Sequence, residues 1–149
     1  MSKFIGVKMI EAVPMTAREA NDKGYRIGHH SFEEDGYEVT YPNGYKSWSP
    51  ANEFEKAYYE LEDPAGNVLK KNDIKRFIKG IENVKIGNKT TFTTLTCLTG
   101  FEAHGQAGCV KPENSDLNVG SNYARIKAED KIWEGLEFVL QWAKYGLKK

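Results

Sequence analysis

Residues 90–110 read TTFTTLTCLTGFEAHGQAGCV. Threonine stands at 90, 91, 93, 94, 96 and 99. β-Branched residues at that density suit a pleated, half-buried strand. Thr99-Gly100 interrupts the run where glycine accepts the backbone of a tight turn. The stretch therefore predicts two strands joined by a turn. Downstream comes KPENSDLNVG at 111–120. Pro112 breaks a strand, Asn114 or Ser115 suits a helix cap, and Asp116 suits the positive end of the helix dipole. Leu117, Gly120, Ala124, Ala128, Ile132, Leu136, Val139 and Ala143 then recur at three and four residues. That pattern predicts one helix to near Lys144, about 27 residues or roughly 40 Å. A helix of that length predicts a bend near Gly135 or a far end packed on another subunit. Gly120 inside it marks a place of close approach.

Upstream, NDIKRFIKGIENV (72–84) places Ile74, Phe77, Ile78 and Ile81 at helical spacing. EDPAGN (62–67) is turn-rich and reads as a linker. In GYEVTYPNGYKSWSP (36–50), Asn43-Gly44 predicts a two-residue hairpin loop, with Val39 opposite Trp48 and Tyr41 opposite Lys46. Tyr37, Val39, Tyr41 and Trp48 then share one face. Ser49-Pro50 predicts a helix start, with Ser as cap and Pro as first helical residue. Its continuation, ANEFEKAYYEL, puts Phe54, Ala57 and Tyr58 on one stripe. KFIGVKMIEAV (3–13) alternates Ile5, Val7 and Met9, which predicts a strand ended by Pro14. Thr16 with Glu19 predicts a capped short helix stopped at Gly24. The fold class expected is α+β. A β-hairpin/helix module (1–61) precedes a domain (68–149) built as a helix, a β-hairpin and a long C-terminal helix.

Composition narrows the function classes. Hydrophobic residues are 40% and charged residues 28% of 149, the balance of a globular chain. No apolar run approaches the roughly 18 residues that span a bilayer, so no membrane role is expected. MSKFIGVKMIEAV lacks the apolar core and cleavage site of a secretory leader. Cys97 and Cys109 are too few for a disulfide scaffold. Net charge is zero, yet residues 1–63 hold 7 basic and 12 acidic groups, and residues 64–149 hold 14 and 9. The second half therefore has the better field for a phosphate-bearing ligand. Its Lys70, Lys71, Lys75, Arg76, Lys79, Lys85 and Lys89 also fit a solvated helix face.

Catalytic motifs are absent: no GxxxxGK[ST], GxGxxG, GxSxG or HExxH. Cys97, His104 and Cys109 include no close ligand pair, so neither a metal nor a cofactor is expected. Cys109 as a nucleophile has only His104 as a nearby base, and a small buried hydrophobe is the simpler reading. His29-His30 reads as an exposed loop pair. The expectation is a protein that is not an enzyme. Binding chemistry remains: aromatics stack on bases and arginine grips phosphate. The candidate ligand-binding residues are Tyr45 and Trp48 on the first hairpin, Phe101 on the second, and Asn114, Asn122 and Arg125 near the long helix's start. Packing and capping are the alternative roles for these side chains. DNA is disfavoured by the zero net charge and the lack of a recognised motif.

TLTCLTGFEAHGQAGCV, KPENSDLNVG and YARIKAEDKIWEGLEFVL, in that order, resemble a family of small tailed-phage proteins named for its Gp forty-nine and gene sixty-six members. Ser115 departs from it, since the family usually has Phe there. IGVKMIEAVPMTAREAND and GYEVTYPNGYKSWSPANEFEKAY resemble a phage and prophage module found ahead of varied C-terminal domains. Some of those are similar to anti-defence proteins that capture cyclic-nucleotide or cyclic-ADP-ribose signals. The resemblance implies a homo-oligomeric sponge in the cytoplasm of the infected host, sequestering a small nucleotide-derived signal without cleaving it. The alternative is an accessory protein that binds and inhibits a host protein.

Overall fold

The computed structural model describes residues 1–111 and 116–149. Pro112, Asn114 and Ser115, and with them the expected cap, lie outside the described residues. The chain forms two compact units: Met1–Glu60 with Trp142–Lys149, and Leu61–Gln141. The architecture is α+β.

The first unit holds β1 (Glu11–Pro14), α1 (Ala17–Asp22), β2 (Gly36–Thr40), β3 (Lys46–Pro50) and α2 (Ala51–Ala57). The strands form an antiparallel sheet in the order β1-β2-β3. The strand expected over 3–13 is reduced to β1, because β2 offers it only the rungs Tyr37 to Thr40. Residues 1–10 form no strand, and Met9 N–H donates instead to Ala143 O at 3.2 Å. The far end of the long helix thus meets the chain's own N-terminal segment. Thr16 caps α1 as expected, its Oγ1 accepting from Glu19 N–H at 3.2 Å.

The hairpin register differs by one residue from the expectation. Tyr41 N–H bonds to Tyr45 O, Gly44 N–H bonds to Tyr41 O, and of the loop residues only Gly44 has positive φ. The loop is therefore Pro42-Asn43-Gly44, a type I turn followed by a left-handed glycine. Pro42 presets the φ that such a turn needs, which overrides the Asn-Gly signal. Val39 faces Ser47, and Trp48 faces Glu38. Because side chains alternate, this slip sends Trp48 to the opposite face from Tyr37 and Val39. Trp48 packs with Met15, Ala17 and Ala20 of the α1 side. Tyr37 stacks on Phe54 of α2 at 4.2 Å. Pro50 ends β3 and is the cap position of α2, with no side-chain cap, so Ser49 does not act as one.

The second unit contains α3 (Lys71–Phe77), β4 (Ile78–Ile86), β5 (Thr90–Cys97), β6 (Glu102–Gly108) and most of α4 (Leu117–Tyr145). The helix expected over 72–84 ends at Phe77, and Ile78 and Ile81 are strand residues. Gly80 weakens a helix there, and β5 offers a partner along its whole length. The expected hairpin thus becomes the antiparallel sheet β4-β5-β6. β5 alternates strictly: Thr91, Thr93, Leu95 and Cys97 are buried. Leu95, Cys97 and Ala103 form one core with Ile74 of α3 and Ala128 and Ile132 of α4. Two glycines let α4 lie on this face. A Cβ at Gly105 would stand 2.1 Å from Ala124 O and 2.6 Å from Ala128 N. One at Gly120 would overlap Thr91 Oγ1 and Cβ. α4 runs as one uninterrupted helix through Gly135.

Local anchors hold the connections. The Asp73 side chain is fully buried and accepts from Arg76 Nη2 at 2.8 Å, Lys70 N at 2.8 Å and Glu62 N at 2.9 Å. Its charge is thus both paired and hydrogen-bonded, as burial requires. Asp63 accepts from the N–H groups of Ala65, Asn67 and Val68. Those backbone donors, Asn67 first, hold its carboxyl below the usual range. The EDPAGN segment is therefore an ordered turn, with Gly66 at φ 65°.

Candidate functional site

The sheet and helix of the second unit position the expected site residues by simple periodicity. Asn122 and Arg125, three residues apart on α4, project from neighbouring positions and are both exposed. Arg125 Nε lies 3.4 Å from Glu129 Oε1, an i,i+4 pair one turn on. The guanidinium is therefore accessible but partly engaged.

Phe101 is 71% exposed, at the turn between β5 and β6. Its N–H bonds to Thr99 Oγ1 and its carbonyl accepts from Cys97 N–H. β6 then runs seven residues to Gly108, which is about 23 Å of extended chain. Phe101 thus sits at one end of β6 and the start of α4 at the other, and the fold does not bring them together. Tyr45 and Trp48 belong to the other unit. Trp48 is buried and its Nε1–H donates to Met15 O at 2.8 Å, so the indole is a core residue and not a stacking platform. Tyr45 is 64% exposed, its ring stacked on Tyr41 at 5.9 Å. Asn114 lies outside the described residues.

The concavity nearest the start of α4 is a cleft of about 120 Å³. Lys89, Thr91, Gly108, Cys109, Val119 and Tyr123 are among its walls. Cys109 is half-buried there, and its thiol donates to Lys111 O at 3.1 Å. Cys97 lies in the core against α4, where burial pushes its thiol up. His104 faces the other side of the sheet, its Nδ1 3.1 Å from Thr94 Oγ1 and its ring stacked on Phe92 at 5.3 Å. Cys97, His104 and Cys109 are therefore not gathered. Among the described residues no three His, Cys, Asp or Glu side chains are grouped as metal ligands.

Sequence reasoning missed one feature of this unit. Val119, Tyr123 and Ile126 are exposed on α4, Tyr123 at 62%. Their spacing of four and three residues puts them on one side, beside the cleft that Val119 and Tyr123 line. The three- and four-residue spacing that marks the core stripe of α4 also marks this second one.

The α3, three-stranded sheet and α4 succession has a counterpart among protein families. Residues 69–143 match the model of the Phage protein (N4 Gp49/phage Sf6 gene 66) family. The chain belongs to that phage family. The family match begins just before α3 and ends within the last turns of α4, so it takes in Phe101, Asn122, Arg125 and the cleft, but not Tyr45 or Trp48. No curated protein and no solved structure matches the chain. No helix among the described residues is long and apolar enough to cross a membrane.

Proposed function

We propose that this phage-family protein is an accessory factor that acts by binding and not by catalysis, with the first three turns of α4 as its working surface. One observation carries the reading: Val119, Tyr123 and Ile126 leave an apolar stripe in water on a helix whose opposite side is already packed. A helix with a second apolar side is suited to a protein partner. The partner class proposed is a host protein. The test is affinity capture from host lysate with the wild type and with Tyr123→Glu and Ile126→Glu. One stoichiometric partner retained by wild type and lost from both variants supports the reading. Equal capture by all three removes it.

The nucleotide-sponge reading has its own support in the positive balance of residues 64–149 and the accessible Arg125 and Asn122. The cleft bears on its form. At about 120 Å³ it is smaller than the ~300 Å³ at which small-molecule pockets begin. A sponge would therefore enclose its ligand between copies. Thermal shift with cyclic dinucleotides, cyclic trinucleotides and cyclic-ADP-ribose isomers, with light scattering, tests this. A ligand that stabilises wild type and fails with Arg125→Ala supports it. A monomer that no ligand stabilises sinks it.

A further inference from the structure

The first unit carries a row of aromatic rings that neither reading uses. Tyr37 stacks on Phe54 at 4.2 Å, and Phe54 meets Tyr58 at 4.9 Å. Tyr41 stacks on Tyr45 at 5.9 Å. The Tyr58 phenol is pushed up by burial first and then by the charge of Tyr41. Tyr37 and Tyr41 share one face by alternation, the side on which Tyr37 meets Phe54 of α2, while the hairpin slip sets Tyr45 opposite Tyr41 and sends Trp48 to the other face. Four of the rings are half-buried and Tyr45 is exposed.

The charge at the Tyr37 end of this row is negative. Glu55 accepts from the Tyr37 hydroxyl at 3.0 Å. The Tyr37 phenol is held above its usual range by that hydrogen bond first, then by burial, and then by the charges of Glu55, Glu60 and Asp35. Glu55 thus contacts one end of the row, and Asp35 and Glu60 act on it through their charge. At the other end Lys8 Nζ lies 5.3 Å from the centre of the Tyr41 ring. The molecule thus already places one of its own cations on this face. Aromatic faces are negative at their centres, and nearby carboxylates add to the attraction for a cation. The same carboxylates repel phosphate, which argues against a nucleotide here.

We propose that the Tyr37–Phe54–Tyr58 and Tyr41–Tyr45 rings form a docking surface for a basic peptide segment of a partner protein. Arginine side chains stack on the exposed Tyr45 ring, and the Glu55 end of the row faces their charge. The surface lies outside residues 69–143, so this inference stands or falls independently of the α4 reading.

The experiment is fluorescence anisotropy on the full chain. One labelled ten-residue peptide alternates Arg and Ser, and a matched peptide has Glu in place of Arg. The Arg peptide binds, and more weakly as salt rises. Tyr45→Ala and Glu55→Gln each weaken it about threefold to fivefold, the scale of one exposed cation–π or ion contact. Both side chains are on the surface, so circular dichroism stays that of the wild type. Lys8→Ala uncovers the Tyr41 ring and tightens binding more than Lys3→Ala, which removes the same charge elsewhere. Equal binding of the Arg and Glu peptides, or Tyr45→Ala and Glu55→Gln variants that bind like wild type, would overturn the proposal. So would equal effects of Lys8→Ala and Lys3→Ala.

Discussion

Gly105→Ala tests the packing that places α4. The added Cβ would stand 2.1 Å from Ala124 O and 2.6 Å from Ala128 N, both backbone atoms of α4. Ordinary contact begins at 3.4 Å, so the helix must retreat from β6 by more than 1 Å. Such a gap forfeits about a quarter to a half of the dispersion energy wherever it opens. It opens under Ala128 and Ile132, which sit on Leu95, Cys97 and Ala103. Overpacking of this kind costs about 1–3 kcal/mol, and occasionally more. Alanine's smaller unfolded-state entropy offsets about 0.4–1 kcal/mol. With the backbone as the obstacle, a net loss of about 2–3 kcal/mol is expected. For a unit of this size that is a fall in Tm of roughly 10–20 °C. The control is Gly108→Ala on the same strand, where the new Cβ meets Lys89 O at 3.7 Å and Thr90 Oγ1 at 3.8 Å. Urea denaturation followed by far-ultraviolet circular dichroism measures both. A Gly105→Ala stability within about 0.5 kcal/mol of Gly108→Ala, the scatter of neutral substitutions, would refute the claimed close approach.

Trp48→Phe leaves Met15 O without its 2.8 Å donor in a buried cluster and should cost about 1–3 kcal/mol, read from chemical denaturation. Asp63 gives a pH signature. Its folded pKa is depressed, so its contribution is present above its unfolded value near ~3.9 and is lost as pH falls through the lower folded value. A carboxyl carbon titration by NMR should place its midpoint below that of an unfolded Asp, and Asp63→Asn should flatten the acid limb of the stability profile. Cys97 is buried with a raised thiol pKa while Cys109 is half-buried, so a thiol reagent at neutral pH should modify Cys109 first. Peptide mapping checks this, and equal labelling in the native state would contradict the burial of Cys97.

The long helix was legible because its apolar positions repeat at three and four residues for more than six turns. The β5–β6 pair was legible from its threonines and Thr99-Gly100. Gly120 was legible as a point of approach, because a glycine inside a good helix has few other uses. Arg125 and Asn122 were found as exposed polar groups on α4. Burial of Trp48 was legible from its size, but not the face it takes, since that depends on a loop one residue longer than Asn-Gly suggested.

Local sequence by itself determined which segments favour helix, strand or turn, since propensity and periodicity act within a few residues of each position. The tertiary structure decided what those segments do. β4 became a strand because β5 supplied eight residues of pairing that an isolated Ile78–Ile86 segment lacks. Residues 1–10 stayed out of the sheet because β2 was too short to pair them. The aromatic row and the apolar stripe on α4 are also tertiary products. Whether a ring or an isoleucine is core or surface depends on which side its neighbours cover, and those neighbours are distant in the chain.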